Sequence, residues 1–294
     1  MLVQKISRFL LGCNMTSPVP TVAEYVINRL ADLGIDRVFG VPGDYAFPFD
    51  DAIESCERLK WISCANELNA AYAADGYARV YGASILSATY GVGELSALNG
   101  VMGSKSQRLP VFFIVGSPST QIQRQGLATH HTLGDGIFNQ FQALSAAACC
   151  VSTNLTPDNV IDEMERVIRE ALRLSAPAYI IVPMDLARMP IMGQPIKGQS
   201  LALVKRTKSN PASLEAAIEF VLNKIKGAKS IVALPSNLVV TYGLTKQFVE
   251  FLNKSGMSYA TSPMGKGVVS ESHPNYLGIY SGLTSSPTSV KTHV

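Results

Sequence analysis

ASILSATYGVGELSALNGVMGSKSQRLPVFFIVG (residues 83–116) decides how this chain folds. ASILSAT (83–89) is an apolar run of strand length. A glycine-spaced helix follows over about 93–106, and PVFFIVG (110–116) is a second buried-strand run. A strand, a helix and a strand in direct succession form the unit from which parallel sheets are built, with helices covering both faces. The same alternation extends upstream. Thr21 and Glu24 make a capping box ahead of Val22, Tyr25, Val26, Leu30 and Leu33 at helical spacing, and Gly34 stops that helix. RVFGV (37–41) and KWISCA (60–65) read as short strands, and 66–81 as an alanine-rich helix closed by Gly82. Downstream, 117–140 is a long polar segment of little periodicity. Thr156 and Pro157 then read as the N-cap and first residue of a helix whose inner face holds Val160, Met164, Val167, Ile168, Ala171 and Leu172. AYIIVPMD (178–185) is the next strand.

The stretch 186–212, with Pro190, Pro195 and Pro211, reads as a linker. A second α/β unit begins after it: an amphipathic helix over 213–226, a strand SIVAL (230–234), a helix over 244–254 and a strand MSYATS (257–262). Two parallel strands and the helices beside them bury little. This unit is therefore expected to be small or incomplete, and the weaker part of the chain. The expected architecture is α/β, a doubly wound parallel sheet over 21–186, a linker over 187–209 and an incomplete α/β unit over 210–294.

Composition narrows the function classes. With 47% hydrophobic and 16% charged residues in 294, the chain can bury a core. Twenty-five Lys and Arg against 22 Asp and Glu leave a charge of +3, too weak for a dedicated nucleic-acid binder. No run approaches the roughly 18 apolar residues of a membrane span. The five cysteines (13, 56, 64, 149, 150) include no Cys-x-x-Cys and suggest neither a disulfide framework nor a zinc site, so a reducing compartment, the cytoplasm, is expected. Residues 1–20 carry Lys5 and Arg8 before the first acid, Glu24, with Leu2, Ile6, Phe9 and Leu10 on one helical face. We read them as a disordered leader, or Met15 as the start; a mitochondrial presequence is the alternative. LLGC (10–13) lacks the apolar length of a lipoprotein signal.

In doubly wound sheets, ligands bind beyond the carboxyl ends of the strands. Four features fall there. Pro42 and Gly43 make a tight turn that presents Asp44; an Asx-type turn explains the same residues. Glu67 opens a helix among the small residues Ala65, Ala70 and Ala71, where it either meets a ligand or simply answers the helix dipole. His130 and His131 lie adjacent on a loop and suit proton transfer, although such a pair also arises by chance. The glycines of TYGVGELSALNG (89–100) either cradle a ligand or allow close helix packing. GDG (134–136) imitates the start of a metal–diphosphate motif, but residues 155–170 hold only Asn159 and not the asparagine pair that motif needs. Asp135 is read as a loop residue.

VFGVPGDYAFPFDDAIE, ELNAAYAADGYAR and ATHHTLGDG, in this order, resemble the thiamine-diphosphate-dependent 2-oxo-acid decarboxylases, and most of all pyruvate and indolepyruvate decarboxylases. The separations, 23 residues from Asp44 to Glu67 and 63 from Glu67 to His130, match without gaps, and the resemblance runs from about Thr21 to Gly282. The double histidine separates this group from carboligases such as acetolactate synthase. The resemblance implies that Glu67 hydrogen-bonds the aminopyrimidine ring of thiamine diphosphate, with Gly43 and Gly91 at the cofactor. It implies that Asp44, His130 and His131 line the substrate side and relay protons as a 2-oxo acid becomes an aldehyde. It also implies a magnesium ion, a homo-oligomer or association with a full-length chain, and sites shared between subunits. Chains of this family are roughly twice as long. Residues 21–186 resemble their pyrimidine-binding domain and 210–294 about the first half of their central domain; the diphosphate- and magnesium-binding domain has no counterpart in this sequence. The expectation is a fragment with half a site, or an inactive relative that binds a full-length partner.

Overall fold

The computed structural model describes residues 19–198, 208–292 and 294; the readings of the leader and of positions 199–207 lie outside the described residues. The capping box at Thr21 forms, with the Thr21 hydroxyl accepting from the Glu24 N–H and the Glu24 side chain reaching back to the cap, and it starts α1 (Val22–Ala31). Then come β1 (Arg37–Gly40), α2 (Phe47–Glu54), β2 (Lys60–Ser63) and α3 (Glu67–Tyr81). Gly82, in the left-handed conformation that glycine tolerates, ends α3. The deciding stretch folds as read, into β3 (Ser84–Thr89), α4 (Val92–Ser106) and β4 (Val111–Ser117).

The remaining elements of this unit are α5 (Thr120–Gln125), α6 (Gln140–Ala148), β5 (Val151–Asn154), α7 (Val160–Leu174) and β6 (Ala178–Pro183). All six strands are parallel, in the order β2-β1-β3-β4-β6-β5. Side chains alternate between two cores. Phe112 and Ile114 of β4 face a core shared with α1, α2 and α7. Val111, Phe113 and Val115 face one shared with α3, α4 and α6. This two-sided burial explains why β3, β4 and β6 read as unbroken apolar runs.

The structure corrects the reading in several places. The helix expected from Thr156 begins at Val160. Pro157 brings no N–H, and Thr156 is drawn into a local turn instead. Its hydroxyl donates to Asp158 Oδ1 (2.7 Å) and its N–H to Asn159 Oδ1 (2.9 Å). The elements α2, α5, α6 and β5 lie outside the expected ones, α5 within the polar segment 117–140. β5 is a short edge strand, VSTN, with a mostly half-exposed pattern and no apolar alternation to announce it.

The second unit contains α8 (Pro211–Lys226), β7 (Val232–Ala233), α9 (Leu238–Thr241), α10 (Thr245–Ser255), β8 (Ser258–Thr261) and β9 (Tyr276–Ile279). Its three parallel strands, in the order β7-β8-β9, exceed the two that were expected. Its core is a cluster of Leu252, Tyr259, Val268 and Val269. The expected amphipathic helix is present as α8, but none of its residues is buried. The units touch where Asn237 Nδ2 donates to the Gln107 carbonyl (3.1 Å).

Candidate active site

The strand order reverses between β1 and β3, and the crevice at such a switch point, beyond the carboxyl ends of the strands, is where open α/β sheets bind ligands. Gly43 and Asp44 follow β1, and Gly91 and Gly93 follow β3. Two of these glycines are sterically required. A Cβ on Gly43 would run into the Thr89 side chain, and a Cβ on Gly91 would overlap the His131 carbonyl. Gly91 also sits at a φ of +64°, which L side chains rarely adopt.

Three of the expected residues converge. His130 Nε2 is hydrogen-bonded to Asp44 Oδ2, and His131 Nε2 stands 3.8 Å from Asp44 Oδ1. Asp44 Oδ1 is buried and has no hydrogen-bond partner among the described residues. The histidine pair is placed by its surroundings. Tyr45, itself buried, stacks on the His130 ring with centroids 4.8 Å apart and 12° between planes. The Tyr45 hydroxyl donates to the His130 carbonyl (3.2 Å), lies 2.6 Å from Thr129 Oγ1 and is 3.4 Å from His130 Nδ1. With Nδ1 turned to these hydroxyls, Nε2 is the nitrogen offered to Asp44. Burial pushes the Tyr45 hydroxyl above its ordinary pKa, which keeps it a neutral hydroxyl.

Glu67 is not part of this cluster. It opens α3 behind the N-cap Asn66, whose side chain accepts from the Asn69 N–H. Its carboxylate faces Gly93: a Cβ there would stand 3.2 Å from Glu67 Oε1 and 3.0 Å from Thr89 Cγ2. The Glu67 side chain has no hydrogen-bond or ion-pair partner among the described residues. Gly43, Thr89, Gly93 and Glu67 thus line one wall of the crevice, and Asp44 with the histidines lies toward its solvent side. Asp135 is a loop residue as expected, holding Ile137 N–H (3.0 Å) and Gln140 Nε2 (2.6 Å).

Sequence reading missed the supports of this site. Glu94 is fully buried and accepts from Gly91 N–H (3.0 Å), Ser145 Oγ (3.0 Å) and Tyr179 Oη (2.5 Å), tying the β3 turn to α6 and β6. Burial raises the Glu94 pKa, against the lowering effect of those three donors. Asp50 on α2 accepts from Ser87 Oγ (3.0 Å) across the switch point. Burial pushes its pKa up to about 7, partly offset by Ser87 and the Gly43 backbone. An acid at an inward helical position, as Glu94 is in GVGEL, was the one available signal. A cleft of 560 Å³ between Gly82, Arg108 and Pro110 and the second unit's Asn237 and Met264, and one of 730 Å³ between α1 and residues 193–197, share no residue with this crevice.

Residues 20–143 match the family model of the N-terminal TPP binding domain of thiamine pyrophosphate enzymes, and residues 218–293 that of their central domain. The six-stranded sheet continues beyond the first match, through β6. An alpha-keto-acid decarboxylase of Mycobacterium avium (strain 104) is 40% identical over 272 residues, 92% of this chain and 47% of that protein. Those of Mycobacterium leprae (39% over 277 residues; 92% and 48%) and Mycobacterium tuberculosis H37Rv (39% over 272; 92% and 47%) are similar. The chain spans about half the length of the curated relatives it matches.

Proposed function

As this chain belongs to the thiamine pyrophosphate enzyme family, we propose that it supplies the pyrimidine-side half of a site for non-oxidative decarboxylation of a 2-oxo acid to an aldehyde. The observation that carries this reading is the pairing of an unpartnered Glu67 carboxylate, beside Gly93 in the switch-point crevice, with the Asp44–His130–His131 cluster at its mouth. The donor set fits the aminopyrimidine side of thiamine diphosphate: a free carboxylate to hydrogen-bond a ring nitrogen, and glycines where the backbone must stay clear. Bound thiamine diphosphate supplies the electron sink for loss of carbon dioxide.

The chain's own residues do the rest of the work assigned here. Glu67 orients the ring and holds a proton at its carboxyl. Asp44 Oδ2 and His130 Nε2 share a proton that can pass to the reacting carbon, and His131 contributes a second imidazole on the same side. Tyr45 keeps His130 in register for that transfer. Pyruvate and arylpyruvates are the substrate classes, and exposed Phe47 does not choose between them. The diphosphate and its magnesium ion are assigned to the complementary half, on further polypeptide or a partner subunit. We assign residues 21–186 to the pyrimidine-binding domain and 210–294 to part of the central one, in the cytoplasm. Among the described residues, no helix is long and apolar enough to cross a membrane.

The test supplies the carboxyl-terminal half of a mycobacterial relative in trans, with thiamine diphosphate and magnesium, and measures aldehyde from pyruvate and indolepyruvate. Turnover that Glu67→Gln abolishes supports the reading. An assembled complex that releases no aldehyde from either acid contradicts it and favours a binding role.

A further inference from the structure

Asp44, His130 and His131 each offer a ligand atom, and these atoms all lie within 4.8 Å of one another. Four features of the cluster bear on metal binding. Two imidazoles and one carboxyl group form a nitrogen-rich donor set suited to zinc, cobalt or copper, whereas magnesium demands oxygen. His130 is held from behind by the Tyr45 ring and hydroxyl, the kind of outer support that fixes a metal-binding histidine with one nitrogen forward. His131 is held through its backbone, at a φ of +59°, against Gly91. Asp44 Oδ1, on the carboxylate edge toward His131, is buried with nothing to bond.

The spacing also suits a single ion. Zinc bonds of roughly 2.0–2.2 Å at tetrahedral angles put ligand atoms about 3.4 Å apart. The 3.8 Å between His131 Nε2 and Asp44 Oδ1 is near that value, and the three groups, within 4.8 Å of one another, would draw in around the ion as the His130–Asp44 hydrogen bond opens. His130 is 57% exposed, which leaves the fourth position open to water. We propose that Asp44, His130 and His131 form a chelating site for a borderline divalent transition metal, zinc or a congener. Occupancy would take the shared Asp44–His130 proton away and so silence the relay. This regulatory consequence rests on the decarboxylase reading, but the binding itself does not.

The test is a titration of the full chain with Co²⁺, followed by its visible absorption and then by displacement with Zn²⁺. The expected result is one Co²⁺ per chain, displaced by stoichiometric Zn²⁺ and untouched by millimolar Mg²⁺. Asp44→Asn, which preserves volume, and His131→Ala should each weaken binding by at least about tenfold. His273→Ala, remote in the second unit and bonded to Asn253, should leave it unchanged. No absorption at millimolar Co²⁺, displacement by Mg²⁺, or a thiolate-type spectrum that survives His131→Ala would each overturn the proposal. The readout needs no turnover, so an absence of decarboxylation in the reconstituted enzyme would not be mistaken for failure of the metal site.

Discussion

The two units are built from the same kind of sequence and are packed very differently. In the first, β3, β4 and β6 are buried along their whole length, and helices cover both faces of the sheet. In the second, four residues form the core, and α8 leaves Leu214, Ile218, Phe220, Val221 and Leu222 each about half exposed. Burying one such side chain contributes roughly 1.5–3 kcal/mol, so the second unit forgoes much of the stability its apolar content would provide. The contrast shows that apolar spacing states what a helix can cover and leaves open what covers it. The crevice at the strand-order switch lies in the first unit, where both faces of the sheet are covered and the turns after β1 and β3 are held by buried side chains.

The largest expected effect separates the two units. Phe112→Ala, fully buried in β4, should cost about 3–5 kcal/mol in urea unfolding. Val221→Ala on α8 should change stability by no more than about 0.5 kcal/mol. A large loss from Val221→Ala would break the comparison, since it would mean that α8 is covered in solution.

Next is Asp50. Its folded pKa, about 7, lies above the ordinary 3.8, so the folded state holds the proton more tightly than the unfolded chain does. Stability is then highest below pH 4, falls as pH rises to about 7 and is level above. The span is at most about 4 kcal/mol. Asp50→Asn should remove that slope from urea midpoints measured between pH 4 and 8; an unchanged slope would show that the carboxyl is solvated.

Smaller effects sharpen the picture of the first unit. Gly91→Ala, at a left-handed φ and against the His131 carbonyl, should cost about 1–3 kcal/mol and shift the His131 imidazole resonances. Gly76→Ala, mid-helix in α3 with open space around it, should instead stabilise by about 0.4–1 kcal/mol. Equal responses at the two glycines in thermal unfolding would show that the β3 turn is not constrained as described.

Much of this was legible in the sequence, for identifiable reasons. β3 and β4 announced themselves because two-sided burial makes apolar runs, and α1, α3 and α4 because their capping residues and glycines punctuate them. Asp44, Glu67, His130 and His131 were legible as loop or helix-start residues, and only the fold could bring the first and last two together. Tyr45, Glu94 and Asp50 were hidden because their roles are tertiary: a ring stacked on His130, and carboxyls bonded to Ser145, Tyr179 and Ser87 far along the chain. β5 was hidden because an edge strand half open to water needs no apolar pattern.

The central claim, that the switch-point crevice of the first unit is the pyrimidine half of a cofactor site, is tested most directly by amide NMR of the chain titrated with millimolar thiamine diphosphate and magnesium. The account predicts saturable shifts confined to Gly43, Asp44, Glu67, Gly91 and Gly93, lost in Glu67→Gln. Shifts centred on Arg108 and Asn237, on α1 and residues 193–197, or no shifts at all, would contradict it.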